Sequence, residues 1–122
     1  MSLSIIIPAY NETSQIYLTV KKLNILKKKI NNHEIIFIDD FSEDNTFKKL
    51  KKIEKTHNRI RVFKNKKKGL GPAIELGIQK SKKENVCLFM CDLSDDVNDI
   101  IRYYRCIKLS LIHISEPTRH ER

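Results

Sequence analysis

With 122 residues, 40% of them hydrophobic and 32% charged, the chain is sized for one modest domain burying roughly two thirds of its unfolded surface, and no apolar run nears the ~18 residues of a membrane-spanning helix. A formal charge of +9 raises nucleic acid, phosphates or an anionic membrane as partners, yet no RNP, zinc-finger or recognition-helix pattern is present. Lys, Ile and Asn are abundant together throughout, as an AT-rich genome writes them, so the lysine clusters at 27–29, 48–52 and 64–68 read as solvated helix faces.

Residues 3–8, LSIIIP, form an isoleucine-rich run closed by proline, which predicts a buried strand. The opening MSLSIIIP has no charged leader and meets that proline too early for a signal peptide, so the cytoplasm is the expected compartment. From Glu12 a helix is expected, with Asn11 as its N-cap and Ile16, Val20, Leu23 and Ile30 on the inner face. EIIFIDD, 34–40, reads as a parallel strand covered on both faces. A second helix over 44–56 turns Phe47, Leu50 and Ile53 inward, and IRVF, 60–63, is a third strand. The glycine-punctuated basic loop KNKKKGLG, 64–71, leads into a helix from Pro72, at its first position, to Lys82. NVCLFMCD, 85–92, is the fourth strand, and Val97, Ile100, Ile101, Tyr104 and Ile107 give the last helix its i, i+3, i+4, i+7 series. Cys87, Cys91 and Cys106 make no CxxC pair and no zinc spacing with His33 or His57, so they read as small buried residues in a reducing compartment.

Four βα units predict an α/β fold with a parallel sheet, right-handed crossovers and strand order 3-2-1-4. A ligand crevice then opens beyond the C-terminal ends of strands one and four. Three sets of polar residues fall at that rim: Tyr10, Asn11 and Glu12; Asp39 and Asp40; Asp92, Ser94, Asp95 and Asp96. One acid after a strand is ordinarily a cap or turn residue, whereas three converging sets point to a site. Several carboxylates repel a bare diphosphate and accept one only across a hard cation such as Mg²⁺ or Mn²⁺. Asp40 is also suited to accept base or ribose donors, and Tyr10 to stack on a base. The first βα turn, PAYNE, lacks glycine and no Walker A motif occurs, which excludes a dinucleotide fingerprint and a P-loop; Gly69-Leu70-Gly71 reads as a turn.

SIIIPAYNE (4–12), EIIFIDDFSEDNT (34–46), KKGLGPAIELGI (67–78) and FMCDLSDD (89–96) resemble, in order and spacing, the first half of family 2 glycosyltransferases, particularly the dolichol-phosphate mannose synthase-like group. The resemblance covers nearly all of 1–108. It implies a glycosyltransferase A-type, Rossmann-like fold and transfer of a sugar, with inversion, from a nucleoside-diphosphate sugar. It assigns Pro8, Tyr10 and Glu12 to the nucleotide pocket, Ile38 and Asp40 to base and ribose, and Asp92 to the donor and its metal. The family's Asp-x-Asp motif falls on Met90-Cys91-Asp92, so Met90 replaces the first acid and Ser94 and Asp95 stand near Asp92 as further ligands for Mg²⁺ or Mn²⁺. The resemblance implies a polyprenyl-phosphate acceptor at the cytoplasmic face of a membrane, with a saccharide hydroxyl in cell-surface polysaccharide synthesis as the alternative.

Leu109–Arg119, LSLIHISEPTR, resembles the translation of a transposase adapter used in DNA sequencing libraries over eleven consecutive residues. Residues 109–122 are therefore expected to be a non-native tail, and 1–108 the donor-binding half of a longer, membrane-associated enzyme, inactive alone. From other classes, a receiver-like domain needs its acids after strands one and three rather than two and four. A noncatalytic α/β binding domain would lack a common cleft for Asp40 and Asp92.

Overall fold

The computed structural model describes residues 2–91 and 96–114. Strands β1 (Leu3–Ala9), β2 (His33–Asp39), β3 (Ile60–Lys64) and β4 (Asn85–Leu88) alternate with helices α1 (Ile16–Leu23), α2 (Leu26–Lys29), α3 (Thr46–Thr56), α4 (Leu70–Lys80) and α5 (Val97–Ile114). The strands form one parallel sheet in the order β3-β2-β1-β4, as the alternating pattern predicts. β1 and β2 pair along their whole length, Leu3 opposite His33 through Ala9 opposite Asp39, and every residue of both is buried. That burial is why their isoleucine runs do not alternate with polar residues.

The pleat divides those side chains between two layers. Leu3, Ile5, Ile7, Ile35 and Phe37 face α1, α2, α3 and α5, forming the larger core with Ile16, Leu23, Leu50 and Ile100. Ile6, Ile36 and Ile38 face α4 and meet Ala73 and Leu76. α4 lies very close to β1. A Cβ on Gly77 would stand 2.5 Å from Ile6 Cγ2 and 2.9 Å from both Cγ1 and Cδ1. Ile6 is buried in the central strand and stiff at χ1, so it has little room to yield. Gly77→Ala gains about 1 kcal/mol of helix propensity. Overpacking of this kind costs about 1–3 kcal/mol, and contact with both branches of Ile6 puts it at the upper end. A net loss of about 1–2 kcal/mol is expected in denaturant unfolding, and Ile6→Ala in the same chain should recover the clash component.

At the N-terminal end of the sheet the buried Glu34 carboxylate ties distant segments together. It accepts hydrogen bonds from Ser4 Oγ at 2.6 Å, Arg61 Nη1 at 2.9 Å and the Lys82 backbone N–H at 2.6 Å. Arg61 also donates to the Lys80 carbonyl at 2.8 Å, closing the end of α4 onto β3.

Several boundaries differ from the sequence-based expectation. α1 begins at Ile16 rather than Glu12, because residues 13–15 form a turn in which Gln15 N–H donates to the Glu12 carbonyl at 2.8 Å. Asn11 does not cap it; Gln15 holds that position without a side-chain bond. A turn at Asn24 and Ile25 separates α1 from α2, yet Ile30 is buried as the periodicity requires. α4 starts at Leu70, so Pro72 is its third residue, still in the first turn where a missing N–H breaks no helical bond. β4 ends at Leu88 instead of Asp92: after Phe89 N–H donates to the Ile6 carbonyl at 3.0 Å, the chain leaves the ladder and Phe89 and Cys91 enter the larger core. Helical backbone in α5 continues past Lys108 to Ile114.

Candidate functional site

Beyond the C-terminal ends of β1 and β2 the chain makes two sharp turns, each with a non-glycine residue in the left-handed region: Asn11 at φ 49° and Phe41 at φ 61°. Such conformations cost about 1–3 kcal/mol apiece unless their neighbours fix them. Here the two turns fix each other. Asn11 N–H donates to Ser42 Oγ at 2.9 Å, Glu43 N–H donates to Asn11 Oδ1 at 2.8 Å, and Glu12 N–H donates to Thr46 Oγ1 at 2.9 Å. This is the work that takes Asn11 away from helix capping. Asp44 completes the clasp by accepting from Thr46 N–H at 2.9 Å. Desolvation acts to raise the Asp44 carboxyl, but hydrogen bonds with Thr13 and Thr46 outweigh it and hold the group down to about 2.

Asp40 follows β2 and turns its carboxylate toward a third loop. Oδ1 accepts from Asn65 Nδ2 and from Gly69 N–H, both at 3.0 Å, and Gly69 N–H also reaches Oδ2 at 3.2 Å. Gly69 has φ 127°, a conformation L side chains rarely adopt, so it brings its N–H to the acid where another residue would be strained. The glycines of this loop thus serve as a turn, as the sequence suggests, and the turn is fastened to Asp40. Tyr10 is 41% exposed, and Lys68 Nζ lies 5.6 Å from its ring centroid.

These loops enclose a cleft of about 130 Å³ lined by Pro8, Ala9, Tyr10, Glu12, Asp40, Leu70, Met90 and Cys91. It lies above β1 at the point where the strand order reverses. Pro8, Tyr10, Glu12 and Asp40 are therefore brought together. The Ile38 side chain does not line the cleft: it is wholly buried with Ile6, Ile36 and Leu76 under α4, next to its register partner Pro8 on β1. Asp92, Ser94 and Asp95 lie outside the described residues. Among the described residues no group of three or more His, Cys, Asp or Glu is placed to hold a metal ion. Among the described residues Glu12 and Asp40 are the carboxylates that line the cleft, and Asp40 already serves two N–H donors.

Sequence reasoning missed Asn65 and Leu70. Asn65 is buried, donates from Nδ2 to Asp40, and donates its backbone N–H to the Asp39 carbonyl at 2.8 Å. The signal available was an asparagine directly after a strand, easily taken for a turn former. A second groove, about 450 Å³, runs beside Phe41, Ser42, Asp44 and Lys64. Asp39 Oδ1 is buried there with no hydrogen-bond partner among the described residues, while Oδ2 accepts from Ser42 N–H at 3.3 Å.

The glycosyl transferase family 2 model matches residues 4–108. A dolichol-phosphate mannosyltransferase of Pyrococcus furiosus is 26% identical over 108 residues, 88% of this chain and 30% of that protein. S. aureus TarS 1-349 in complex with UDP-GlcNAc superposes with a TM-score of 0.67 at 23% identity, over 88% of this chain and 31% of that one. The mannosyltransferase PcManGT from Pyrobaculum calidifontis, in complex with GDP-Man and Mn²⁺, gives a TM-score of 0.65 at 19% identity, over 74% and 27% of the two chains. At these identities the solved structures show a shared fold, that of the glycosyltransferase A type. The chain spans about 30% of the length of that P. furiosus relative.

Proposed function

Because this chain belongs to glycosyl transferase family 2, we propose that it forms the donor-binding part of an inverting glycosyltransferase and that the cleft above β1 receives a nucleoside-diphosphate sugar. The convergence of Pro8, Tyr10, Glu12 and Asp40 on one cleft carries the reading. Tyr10 offers an exposed ring for the base, and Asp40, fixed by Gly69 and Asn65, offers remaining lone pairs to ribose or base donors. In the reaction the acceptor oxygen bonds to the anomeric carbon as the carbon–oxygen bond to the diphosphate breaks, and the electron pair leaves with the diphosphate. The names of the relatives, one bound to UDP-GlcNAc and one to GDP-Man, support a nucleotide sugar as donor.

A divalent cation, Mg²⁺ or Mn²⁺, would neutralise charge on the departing diphosphate. The proposed holder is Asp92, with Ser94 and Asp95 beside it. Mn²⁺ in the PcManGT complex supports this, as does the need for a cation between carboxylates and a diphosphate. The proposed acceptor is a polyprenyl phosphate, whose oxyanion needs little general-base help. The name of the P. furiosus relative supports it. Such a reaction takes place at the cytoplasmic face of a membrane, although no helix among the described residues is long and apolar enough to cross one. Residues 109–122 are proposed to be non-native, in keeping with a family match that stops at 108.

Calorimetric titration with a nucleoside diphosphate, with and without Mg²⁺ or Mn²⁺, tests the reading. Binding is expected only with the cation, and Asp92→Asn should weaken that dependence. Equal affinity with and without metal would sink the role given to Asp92; no binding under either condition would sink the donor cleft itself.

A further inference from the structure

We infer that the outer face of α1, with the adjoining faces of α2 and α3, is a docking surface for an anionic lipid bilayer. Between Gln15 and His33 the sequence has five lysines and no acid. α3 adds five more lysines against Glu54 alone, which is paired with Lys51 at 2.7 Å. A merely solvated face would need only the lysines. This one also exposes Tyr17 by 54%, Leu18 by 47% and Ile25 by 44%. Their positions are not scattered: at 100° per residue Tyr17, Lys21 and Leu18 fall within about 100° of arc, and Ile25 follows one turn after Lys21. Tyr17 and Lys21 border a shallow groove with Lys52, which joins the α3 lysines to the same surface. Lys49 Nζ sits 5.3 Å from the Tyr17 ring centroid and donates to the Thr13 carbonyl at 3.3 Å, bracing the two helices.

The chemistry selects the partner. Lysines near a surface of anionic headgroups are attracted electrostatically, and their long stems let apolar neighbours sink beside them. Tyr, Leu and Ile interleaved with lysine on one helix face match the interfacial boundary of a bilayer, where an apolar body meets water. A free phosphate or polyphosphate would engage the lysines and leave Leu18 and Ile25 without a role. The surface is separate from the donor cleft, and its failure would leave donor binding untouched.

Sedimentation of the chain with phosphatidylcholine vesicles, alone or mixed with phosphatidylglycerol, reads the proposal. Binding is expected to the mixed vesicles only and to weaken as salt rises. Leu18→Gln with Ile25→Gln, and separately Lys21→Glu with Lys52→Glu, should each weaken binding by about tenfold or more. Lys66→Glu with Lys67→Glu changes the net charge by the same amount on an exposed loop elsewhere and should retain most of the binding. Circular dichroism confirms that each variant is folded, and two variants of different chemistry guard against a fold defect in either. The proposal is overturned by absence of binding to the mixed vesicles, by parental binding of the Leu18/Ile25 variant, or by an equal loss in the Lys66/Lys67 control.

Discussion

Glu34→Ala is expected to lower the unfolding free energy by about 3 kcal/mol, a large part of what a domain of this size has. Removing one partner of a buried ion pair costs about 3–5 kcal/mol when the other charge is stranded. Arg61 keeps 27% side-chain exposure and can turn toward water, which places the loss at the low end. Ser4 Oγ and the Lys82 N–H remain as unsatisfied donors at the base of the sheet. The effect should carry a pH signature. Burial acts to raise the Glu34 carboxyl, but the hydrogen bonds from Ser4, Lys82 and Arg61 outweigh it and hold the group below its ordinary value of 4.5. A depressed folded-state pKa means the unfolded chain binds more protons in that window, so stability falls with falling pH. The gap between parent and Glu34→Ala should be constant above about pH 5 and close as pH falls below 4.5 toward the folded value. Urea titrations across that range measure it, and a gap that stays constant to low pH would show that the charge is not what holds the segments together.

Glu34 also marks what the sequence makes legible. It opens the EIIFIDD run, and that run, like SIIIPA, declares a two-sided buried strand through its unbroken isoleucines. The alternation of such runs with amphipathic helices implies a parallel sheet, and its order is that of the commonest doubly wound arrangement. What no periodicity reports is the identity of the neighbour across the sheet. Ser4, Arg61 and Lys82 stand far from Glu34 in the chain and meet it only after the crossovers are made. The site divides the same way. Tyr10, Glu12 and Asp40 were visible because each follows a strand at the rim, whereas Asn65 and Gly69 became site residues only through contact with Asp40. Asn11 shows the competition directly. It has the chemistry of a helix cap, but its carboxamide holds the Glu43 N–H across a neighbouring turn, and the helix starts later.

Asp40→Ala should weaken nucleoside-diphosphate binding by about 10–100-fold, the equivalent of a lost hydrogen bond to a charged group. Two routes lead to that loss, and they can be separated. If Asp40 acts by contacting the ligand, the effect should be independent of Asn65. If it acts by fastening Gly69, and with it Leu70 at the cleft wall, then Asn65→Ala, which removes another link to the same carboxylate, should weaken binding too. The geometry favours a mixture. Oδ1 is taken by Asn65 and Gly69, while Oδ2 shares only the longer branch of the Gly69 bond and keeps lone pairs for a ligand. A double-mutant cycle then gives a coupling of about 0.5–3 kcal/mol between Asp40 and Asn65, as for residues in one hydrogen-bond network. Asp40→Asn keeps Oδ1 as a neutral acceptor for Gly69 and should fall between parent and alanine. Calorimetry on the two alanine variants, their double mutant and Asp40→Asn measures these values in the presence of Mg²⁺ or Mn²⁺. Unchanged affinity in Asp40→Ala, with the fold intact, would mean that the strand-two acid serves the loop alone and that the nucleoside is recognised elsewhere along the cleft.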